Sequence, residues 1–228
     1  MCIRDSAGLE EFQKAILKTA TLGYDGKGQF VLNKGDNLDD VWAQVNGIEL
    51  VLEKFCPFDL EISILVARKE NGETSVFEPT RNIHKDGILD ESHYPSNVSA
   101  EIVANAKEIA LKLSGGFNLV GLLCVEFFVL ASGELLVNEV APRPHNSGHF
   151  TMDSANVSQY EQLIRAISDL DLVDVKYERS GYMKNLIGED VNDIGNYQSD
   201  DNAIIHLYGK EEVKKGRKMG HVNILVLK

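Results

Sequence analysis

Two glutamates, Glu126 and Glu139, lie in the neighbouring apolar segments Val120–Leu130 and Leu135–Val140. These segments predict a β-hairpin that turns at Ser132-Gly133, which sets the two glutamates opposite each other with Cβ atoms about 5 Å apart. Two carboxylates in apolar surroundings are costly unless one is protonated or a cation bridges them, and oxygen ligands suit Mg²⁺. A register displaced by one residue would instead leave one glutamate on a solvent face. The pattern therefore favours two carboxylates that bind one cation, and it leaves open the alternative in which one glutamate is solvated.

A polar, proline-stiffened loop, residues 141–149, follows Glu139 directly. Loops at strand ends are common sites of binding and catalysis. Arg143 has a planar guanidinium that binds phosphate or carboxylate, and His145 titrates near neutrality, so it is a candidate for proton transfer as a general base. A lone histidine is more often structural, which is our interpretation of His93 and His206.

Two further segments combine glycine with positive charge. Residues 23–29 read Gly-Tyr-Asp-Gly-Lys-Gly-Gln beside Lys18, and backbone N–H groups of such a loop can approach an anion. The segment matches neither the P-loop nor the dinucleotide-binding pattern, and an ordinary flexible hairpin loop is the alternative. Residues 216–221 form a local basic cluster, for which a solvated turn is equally compatible with the sequence.

The elements that position these residues are short strands mixed with two clear helices. Ser99–Leu113 has helical periodicity and is predicted to end at Gly115-Gly116 with a left-handed glycine cap, and a second helix begins with a capping box at Ser158. The mixture of hairpins and helices predicts an α+β fold. A further helix is predicted over residues 38–45. Strands are predicted over residues 15–19, 29–32, 49–55, 60–67 and 74–77, and the last two are joined through Asn71-Gly72.

The composition excludes several classes of protein. The net charge is −12, from 23 Lys plus Arg against 35 Asp plus Glu, which argues against a nucleic-acid partner. No segment reaches the length of about 20 apolar residues that a membrane helix needs. Three widely spaced cysteines predict neither a disulfide framework nor a zinc site and fit a reducing cytoplasm. Residues 1–6 resemble nothing that follows, which favours a non-native origin for them.

Six motifs occur in the order typical of one family across nearly the whole chain: residues 16–29, 58–61, 82–88, 138–149, 158–161 and 216–221. Together they resemble the ATP-grasp ligases and, within them, the 5-(carboxyamino)imidazole ribonucleotide synthases, or phosphoribosylaminoimidazole carboxylase ATPase subunits. The segment from Asn138 to His149 discriminates most strongly. Related ATP-grasp enzymes usually have Glu-x-Asn-Pro-Arg there, whereas Ala141 replaces that asparagine in this sequence.

The resemblance implies an ATP-grasp fold with ATP between two lobes of antiparallel sheet plus helices. It implies a small lobe over residues 1–53 with a glycine-rich flap, a large lobe over 54–178, and a C-terminal β segment over 179–228 packed on the large lobe. Glu126 and Glu139 would hold Mg²⁺. The ATP-binding residues would be Lys18, Gly23, Tyr24, Asp25, Gly26, Lys27, Gly28, Gln29, Glu53, Lys54, Phe55, Cys56, Glu61, His84, Asn138 and Glu139.

The same resemblance implies carboxylation of 5-aminoimidazole ribonucleotide with bicarbonate and ATP through carboxyphosphate, in purine biosynthesis. The catalytic residues would be Tyr24, Lys27, Arg143 and His145, and the substrate would be bound by Arg143, His145, Asn146, Ser147, Arg217 and Lys218. Family members carry an N-terminal α/β domain that this sequence lacks ahead of Ile16, and full-length members are expected to form homodimers in the cytoplasm. The alternatives are a truncated, non-catalytic ATP-binding fragment and an ATP-grasp ligase with another acceptor.

Overall fold

The computed structural model describes residues 12–21, 28–45 and 48–226. The chain divides into two compact units, one within residues 1–57 together with 86–88, and the other comprising residues 58–85 and 89–228. The division near residue 57 lies close to the predicted lobe boundary at residue 53. The predicted third segment, residues 179–228, belongs to the second unit.

The first unit contains a small antiparallel sheet built from β1 (Lys14–Thr19), β2 (Gln29–Asn33) and β3 (Leu50–Lys54), with β1 in the centre. Helix α1 spans Asp39–Val45. The buried positions of β1, Ala15 and Leu17, are two residues apart, because successive side chains of a strand point to opposite faces and only one face packs into a core. The buried residues of that core are Ala15, Leu17, Leu32 and Leu50.

The second unit is built on one large sheet, to which nine strands of the described residues contribute. They are β4 (Leu60–Arg68), β5 (Thr74–Val76), β6 (Thr80–Lys85), β7 (Ile88–Tyr94), β8 (Gly121–Val129), β9 (Leu135–Ala141), β10 (Ser180–Ile187), β11 (Ala203–Leu207) and β12 (Lys218–Val226). Their order is β11-β12-β10-β7-β6-β4-β8-β9, with β5 paired to β4.

Helices cover both faces of the centre of this sheet. The longer ones are α2 (Ala100–Gly116) and α4 (Gln159–Ile167), and single turns form α3 (Thr151–Ser154) and α5 (Gly195–Gln198). Short 3₁₀ helices span Asn146–Gly148 and Gly188–Ile194. On one face Ala106 and Ala110 of α2 pack on Ile64, and on the other Leu163 of α4 packs on Leu65. Burial on both faces explains why residues 62–67 are buried without alternation.

Helix α2 ends differently from the sequence-based prediction. Gly115 and Gly116 are both helical, and the left-handed residue is Asn118, with φ of 49°. The Asn118 N–H donates to the Gly115 carbonyl, and the Leu119 N–H donates to the Ser114 carbonyl. These two bonds form a Schellman motif, in which asparagine can replace glycine because its short polar side chain tolerates this conformation.

The hairpin of β8 and β9 carries the two glutamates in the predicted register. Glu126 lies opposite Glu139, but the turn is a three-residue loop, 131–133, with Gly133 at φ of 83°. That loop alone would displace the pairing by one residue. A β-bulge between Glu126 and Phe127 leaves Asn138 as the extra residue and restores the predicted pairing. The predicted two-residue turn at Ser132-Gly133 was therefore wrong, while the predicted facing of the glutamates is confirmed.

The C-terminal strands continue the large sheet edge to edge. Strand β10 pairs with β7 in the register Gly181 to Tyr94, and β12 pairs with β10 over its length. Residues 179–228 thus contribute strands to the same sheet as β4 to β9. Among the residues that the structure describes, no helix is long and apolar enough to cross a membrane.

Candidate active site

The paired carboxylates, Glu126 on β8 and Glu139 on β9, lie on one face of the large sheet near its β9 edge. The Glu126 side chain is only 12% exposed. Burial raises the pKa of Glu126 to about 7; the charge of His84 opposes this rise, and the charges of Glu139 and Glu61 add to it. The pair therefore concentrates negative charge that a bound cation would relieve.

A second acid–base pair, Glu61 on β4 and His84 on β6, lies beside these glutamates. His84 Nδ1 is 2.6 Å from Glu61 Oε2. Burial alone would lower the pKa of His84, but the hydrogen bond and the charge of Glu61, together with the charge of Glu126, raise it above 6.5. The structure thus brings together four residues that the sequence assigned to nucleotide or metal: Glu61, His84, Glu126 and Glu139.

The Glu61–His84 pair leads to a first prediction. In the nucleotide-free chain, an NMR titration should give a His84 pKa above 6.5, and Glu61→Gln should lower it, because the opposing charge is lost while burial remains. A raised folded-state pKa stabilises the fold below pH 6.5, and this contribution disappears as the pH rises through the folded-state value. Glu61→Gln should therefore destabilise the chain more at pH 6 than at pH 9.

The control for this titration is Glu91→Gln, which removes the partner of His93 at a separate histidine–carboxylate contact of 2.8 Å. It should leave the titration of His84 in place. A His84 pKa that is the same in Glu61→Gln and in the parent would show that Glu61 does not set the protonation of His84.

His145 is held over Glu126 by the loop that follows β9. Its Nε2 lies 3.2 Å from Glu126 Oε1, and its Nδ1 accepts the Ser147 backbone N–H at 3.3 Å. Burial, together with the charges of Arg143 and Lys218, lowers the pKa of His145 to about 3. A lowered pKa makes the imidazole a weak base, and its Nδ1 is bonded within the protein, so the general-base role of His145 stays a prediction.

Asn146 and Ser147, predicted to bind substrate, have their polar groups engaged within the protein. Asn146 exchanges two amide hydrogen bonds with Asn185, at 3.0 and 2.6 Å. Ser147 is 1% exposed, and its hydroxyl contacts Ser63 at 2.7 Å and His145 at 2.8 Å. Both residues shape the loop, and their binding of substrate stays a prediction.

The remaining predicted anion-binding residues differ in placement. Arg143 is exposed and donates to the Pro144 carbonyl at 3.0 Å, so its guanidinium lies at the surface of the loop. Lys218, at the start of β12, exerts a positive charge that reaches Glu126 and His145. The guanidinium of Arg217 donates to the Glu212 carbonyl at 3.1 Å.

The predicted nucleotide residues of the first unit lie on and after its sheet. Lys18 of β1 forms an ion pair of 2.6 Å with Glu53 of β3. Gly28 precedes β2 with φ of 73°, and a Cβ there would approach Thr19 Oγ1 to 2.7 Å, so this position requires glycine. Gln29 begins β2, Lys54 ends β3, and Phe55 and Cys56 follow it. Gly23, Tyr24, Asp25, Gly26 and Lys27 lie outside the described residues.

Comparison with known protein families gives two matches. The model of the ATP-grasp domain matches residues 6–160, and the model of the phosphoribosylaminoimidazole carboxylase C-terminal domain matches residues 181–227. The chain belongs to the ATP-grasp family.

Similar curated ATP-grasp proteins include the N5-carboxyaminoimidazole ribonucleotide synthases of Bacillus subtilis and Brucella melitensis. The first is 44% identical over 215 residues, covering 92% of this chain and 56% of the relative. The second is 43% identical over 211 residues, covering 92% of this chain and 58% of the relative. The chain thus spans less than three fifths of the length of these two relatives.

Solved structures show the same ATP-grasp fold and confirm the predicted α+β class. The N5-carboxyaminoimidazole synthetase of Staphylococcus aureus complexed with ADP has a TM-score of 0.92 and 31% identity, covering 100% of this chain and 62% of that one. The synthase of Aspergillus clavatus in complex with ADP and 5-aminoimidazole ribonucleotide has a TM-score of 0.86 and 30% identity, covering 93% and 57%.

Sequence reasoning missed several residues that build this ATP-grasp site. Gln159 is fully buried, and its side-chain amide bonds both the backbone N–H and the carbonyl of His145, at 2.9 and 2.8 Å. Ser63 is a buried hydroxyl beneath Ser147. Ser63 was detectable as the one polar residue within the apolar segment 62–67 of β4, and Gln159 lies in the 158–161 motif, where only the capping residues were considered.

Proposed function

We propose that this chain binds Mg²⁺-ATP and belongs to a ligase that carboxylates 5-aminoimidazole ribonucleotide with bicarbonate, through carboxyphosphate. The observation that carries the proposal is the facing of Glu126 and Glu139 beside the Glu61–His84 pair, since carboxylate oxygens concentrated in this way fit a nucleotide-bound Mg²⁺. The similarity to synthases of known name, one of them in complex with ADP and 5-aminoimidazole ribonucleotide, supports the choice of acceptor.

The residues fit the cation by the chemistry of their donor groups. Among the described residues, no group of three or more His, Cys, Asp or Glu side chains is arranged to hold a metal by itself. Two carboxylates together with nucleotide phosphates form a suitable ligand set, because Mg²⁺ commonly binds one or two carboxylates plus phosphates and keeps several waters. When bound, Mg²⁺ would neutralise charge on the transferring phosphoryl group.

We assign the protein's own residues to three tasks. Glu61, His84 and Asn138 are assigned to ATP, and the family resemblance adds Lys18, residues 23–29 and residues 53–56 to the same task. Arg143 binds bicarbonate, carboxyphosphate or the phosphate of the acceptor, because a guanidinium keeps its charge and binds two anionic oxygens at once. Arg217 and Lys218 contribute further positive charge toward the same anions, and the family resemblance assigns Tyr24 and Lys27 to these anions as well.

Two broader assignments accompany this function. The full-length protein is assigned to a cytoplasmic homodimer, as the family resemblance implies. Cys56 and Cys124 are free thiols, which suits a reducing compartment.

The test measures ADP formation by the chain with Mg²⁺-ATP alone, with bicarbonate, with 5-aminoimidazole ribonucleotide, and with both. We expect the fastest ADP formation with both, with one carboxylated product formed per ADP. Arg143→Ala should reduce that rate by about 10²-fold while leaving ATP affinity in place, because it removes an anion contact on the acceptor side. Arg179→Ala, an exposed arginine outside the loop, is the matched control and should behave as the parent.

Each alternative gives a different result in this assay. Binding of ATP without ADP formation under any condition would indicate a non-catalytic ATP-binding fragment. ADP formation that is indifferent to 5-aminoimidazole ribonucleotide and responds to another nucleophile would indicate a ligase with a different acceptor.

A further inference from the structure

A chain of buried hydroxyl groups runs beneath His145. Thr80 Oγ1 lies 3.1 Å from Ser63 Oγ, and the Ser63 hydroxyl donates to Ser147 Oγ at 2.7 Å. Ser147 Oγ in turn lies 2.8 Å from His145 Nδ1. All three hydroxyl residues are buried, so no bulk water competes for these bonds.

The direction of the hydrogen bonds follows from the number of protons available. Each hydroxyl has one proton to donate. Ser63 uses its proton toward Ser147, so Ser63 accepts from Thr80, and Ser147 has its own proton for His145 Nδ1. The relay therefore donates toward the imidazole at every step.

A second hydrogen-bond donor is directed at His145 Nδ1. The backbone N–H of Ser147 points at this nitrogen at 3.3 Å, as His145 caps the 3₁₀ helix Asn146–Gly148 with its own side chain. A backbone amide can only donate, so Nδ1 must carry a lone pair. An imidazole ring carries a proton on at least one nitrogen, so the proton resides on Nε2, which lies 3.2 Å from Glu126 Oε1.

We propose that Ser147, with Ser63 and Thr80 behind it, fixes His145 in the Nε2–H tautomer, so that His145 donates a hydrogen bond to Glu126 and orients this carboxylate. His145 is thereby a positioning residue for Glu126, and Ser147 acts through His145. The functional part of the inference rests on the proposed function, in which Glu126 binds the nucleotide-bound Mg²⁺. Its structural part concerns the nucleotide-free chain alone.

The clamp by Gln159 complements this relay. Because the Gln159 amide bonds both backbone groups of His145, the main chain of the loop is held independently of the imidazole. Removing the Ser147 hydroxyl should therefore weaken the preference for the Nε2–H tautomer of His145, because only the backbone N–H then donates to Nδ1, while the backbone of His145 stays in place. This separation makes the proposal testable without dismantling the loop.

The decisive measurement is the ¹⁵N spectrum of the two ring nitrogens of His145 in the nucleotide-free chain at pH 7. We expect a protonated Nε2 and an unprotonated Nδ1 in the parent. Ser147→Ala should lower the ratio of this tautomer to the other about tenfold, as the loss of one hydrogen bond allows. Ser63→Ala, one step further away, should lower it less.

The matched control is Ser154→Ala, which removes another buried hydroxyl bonded within the second unit, to the Phe150 carbonyl at 2.6 Å. It should leave the His145 spectrum unchanged. A parent spectrum with the proton on Nδ1, or on both nitrogens, overturns the proposal, as does a tautomer ratio that Ser147→Ala leaves unaltered. The parent measurement decides the matter even where a variant fails to fold.

A binding measurement then separates orientation of Glu126 from catalysis by His145. In His145→Ala, the ratio of the ATP affinities measured with and without Mg²⁺ should fall by about 10-fold or more, because a metal-binding carboxylate has lost its hydrogen-bonding partner. His145→Gln should restore it, because the glutamine amide donates from nearly the same position. Restoration of ADP formation by His145→Gln supports the positioning role. Unchanged ATP affinity in His145→Ala, with loss of rate alone, overturns it.

A parent chain that has the expected tautomer but shows no acceptor-dependent ADP formation contradicts only the proposed function.

Discussion

Replacing Glu126 with glutamine is expected to remove most of the magnesium dependence of ATP binding, a change of about 100-fold in affinity, while making the nucleotide-free chain more stable at pH 8. The loss follows from removing one of two facing carboxylates, since an amide oxygen carries no net charge to balance Mg²⁺. The gain follows from removing a buried charge that lies close to Glu139 and Glu61. Calorimetry with and without Mg²⁺ and urea unfolding measure the two effects.

The pH dependence of the stability gain follows from the pKa of Glu126. Burial, reinforced by Glu139 and Glu61, raises that pKa to about 7 from 4.5, so the folded chain retains a proton that the unfolded chain releases. Stability of the parent therefore falls as the pH rises from 4.5 to 7. Glu126→Gln lacks this fall, and its advantage should grow across this window to about 2 kcal/mol at pH 8.

The control for Glu126→Gln is Glu134→Gln, an exposed glutamate at the turn of the same hairpin. It should leave both the affinity for Mg²⁺-ATP and the stability within about 0.5 kcal/mol of the parent. Equal magnesium-dependent affinity in Glu126→Gln and the parent would remove the metal assignment. Equal stability at pH 8 would show that Glu126 is solvated more fully than its burial indicates.

The cross-strand pairing of Glu126 with Glu139 shows what can be predicted from a local sequence pattern. Two apolar segments and a glycine turn identify the hairpin, and both strands are where the sequence predicts them. The detailed register came from two deviations that cancel: a three-residue loop and a bulge at Asn138. Neither has a strong signal in a single sequence, because the bulged residue is recognised by its lack of a cross-strand partner.

The hairpin β6–β7 was absent from the sequence-based prediction for a different reason. Asp86-Gly87, both with positive φ, form a two-residue turn of the kind for which Asp-Gly is a strong signal. The sequence motif around His84 was interpreted only for its family resemblance, although the turn residues were present. This element was accessible to sequence reasoning, and with it the placement of His84 beside Glu61 on adjacent strands.

The C-terminal strands could not be placed from the sequence in the same way. Gly181 pairs with Tyr94 across a long sequence separation, and no short turn connects the two strands. Pairing between distant segments depends on which sheet edge is available, which local propensity does not encode. The Ser147 relay and the Gln159 clamp were missed for the same reason, since each joins residues that meet only in the folded chain.

Gly181→Ala is expected to destabilise the second unit by about 4 kcal/mol or more, a large part of the stability of a typical domain. Gly181 has φ of 142°, and a Cβ built there would lie 2.0 Å from the backbone carbonyl oxygen of Ile224 on β12. That oxygen belongs to a paired strand, so it cannot move aside as the end of a flexible side chain would. Either the β10–β12 pairing opens or the backbone of Gly181 changes conformation.

The effect should extend to the candidate site, because β10 also carries Asn185, the hydrogen-bonding partner of Asn146 in the loop after β9. Urea unfolding followed by circular dichroism should show a lower midpoint, and hydrogen exchange should accelerate first in β10 and β12. Gly115→Ala is the control: a Cβ there meets nothing within 4 Å, and in a helix the change should stabilise by about 0.5–1 kcal/mol. If Gly181→Ala unfolded at the same urea concentration as the parent, β10 and β12 would separate at little cost in free energy. The C-terminal strands would then not hold the loop through Asn185.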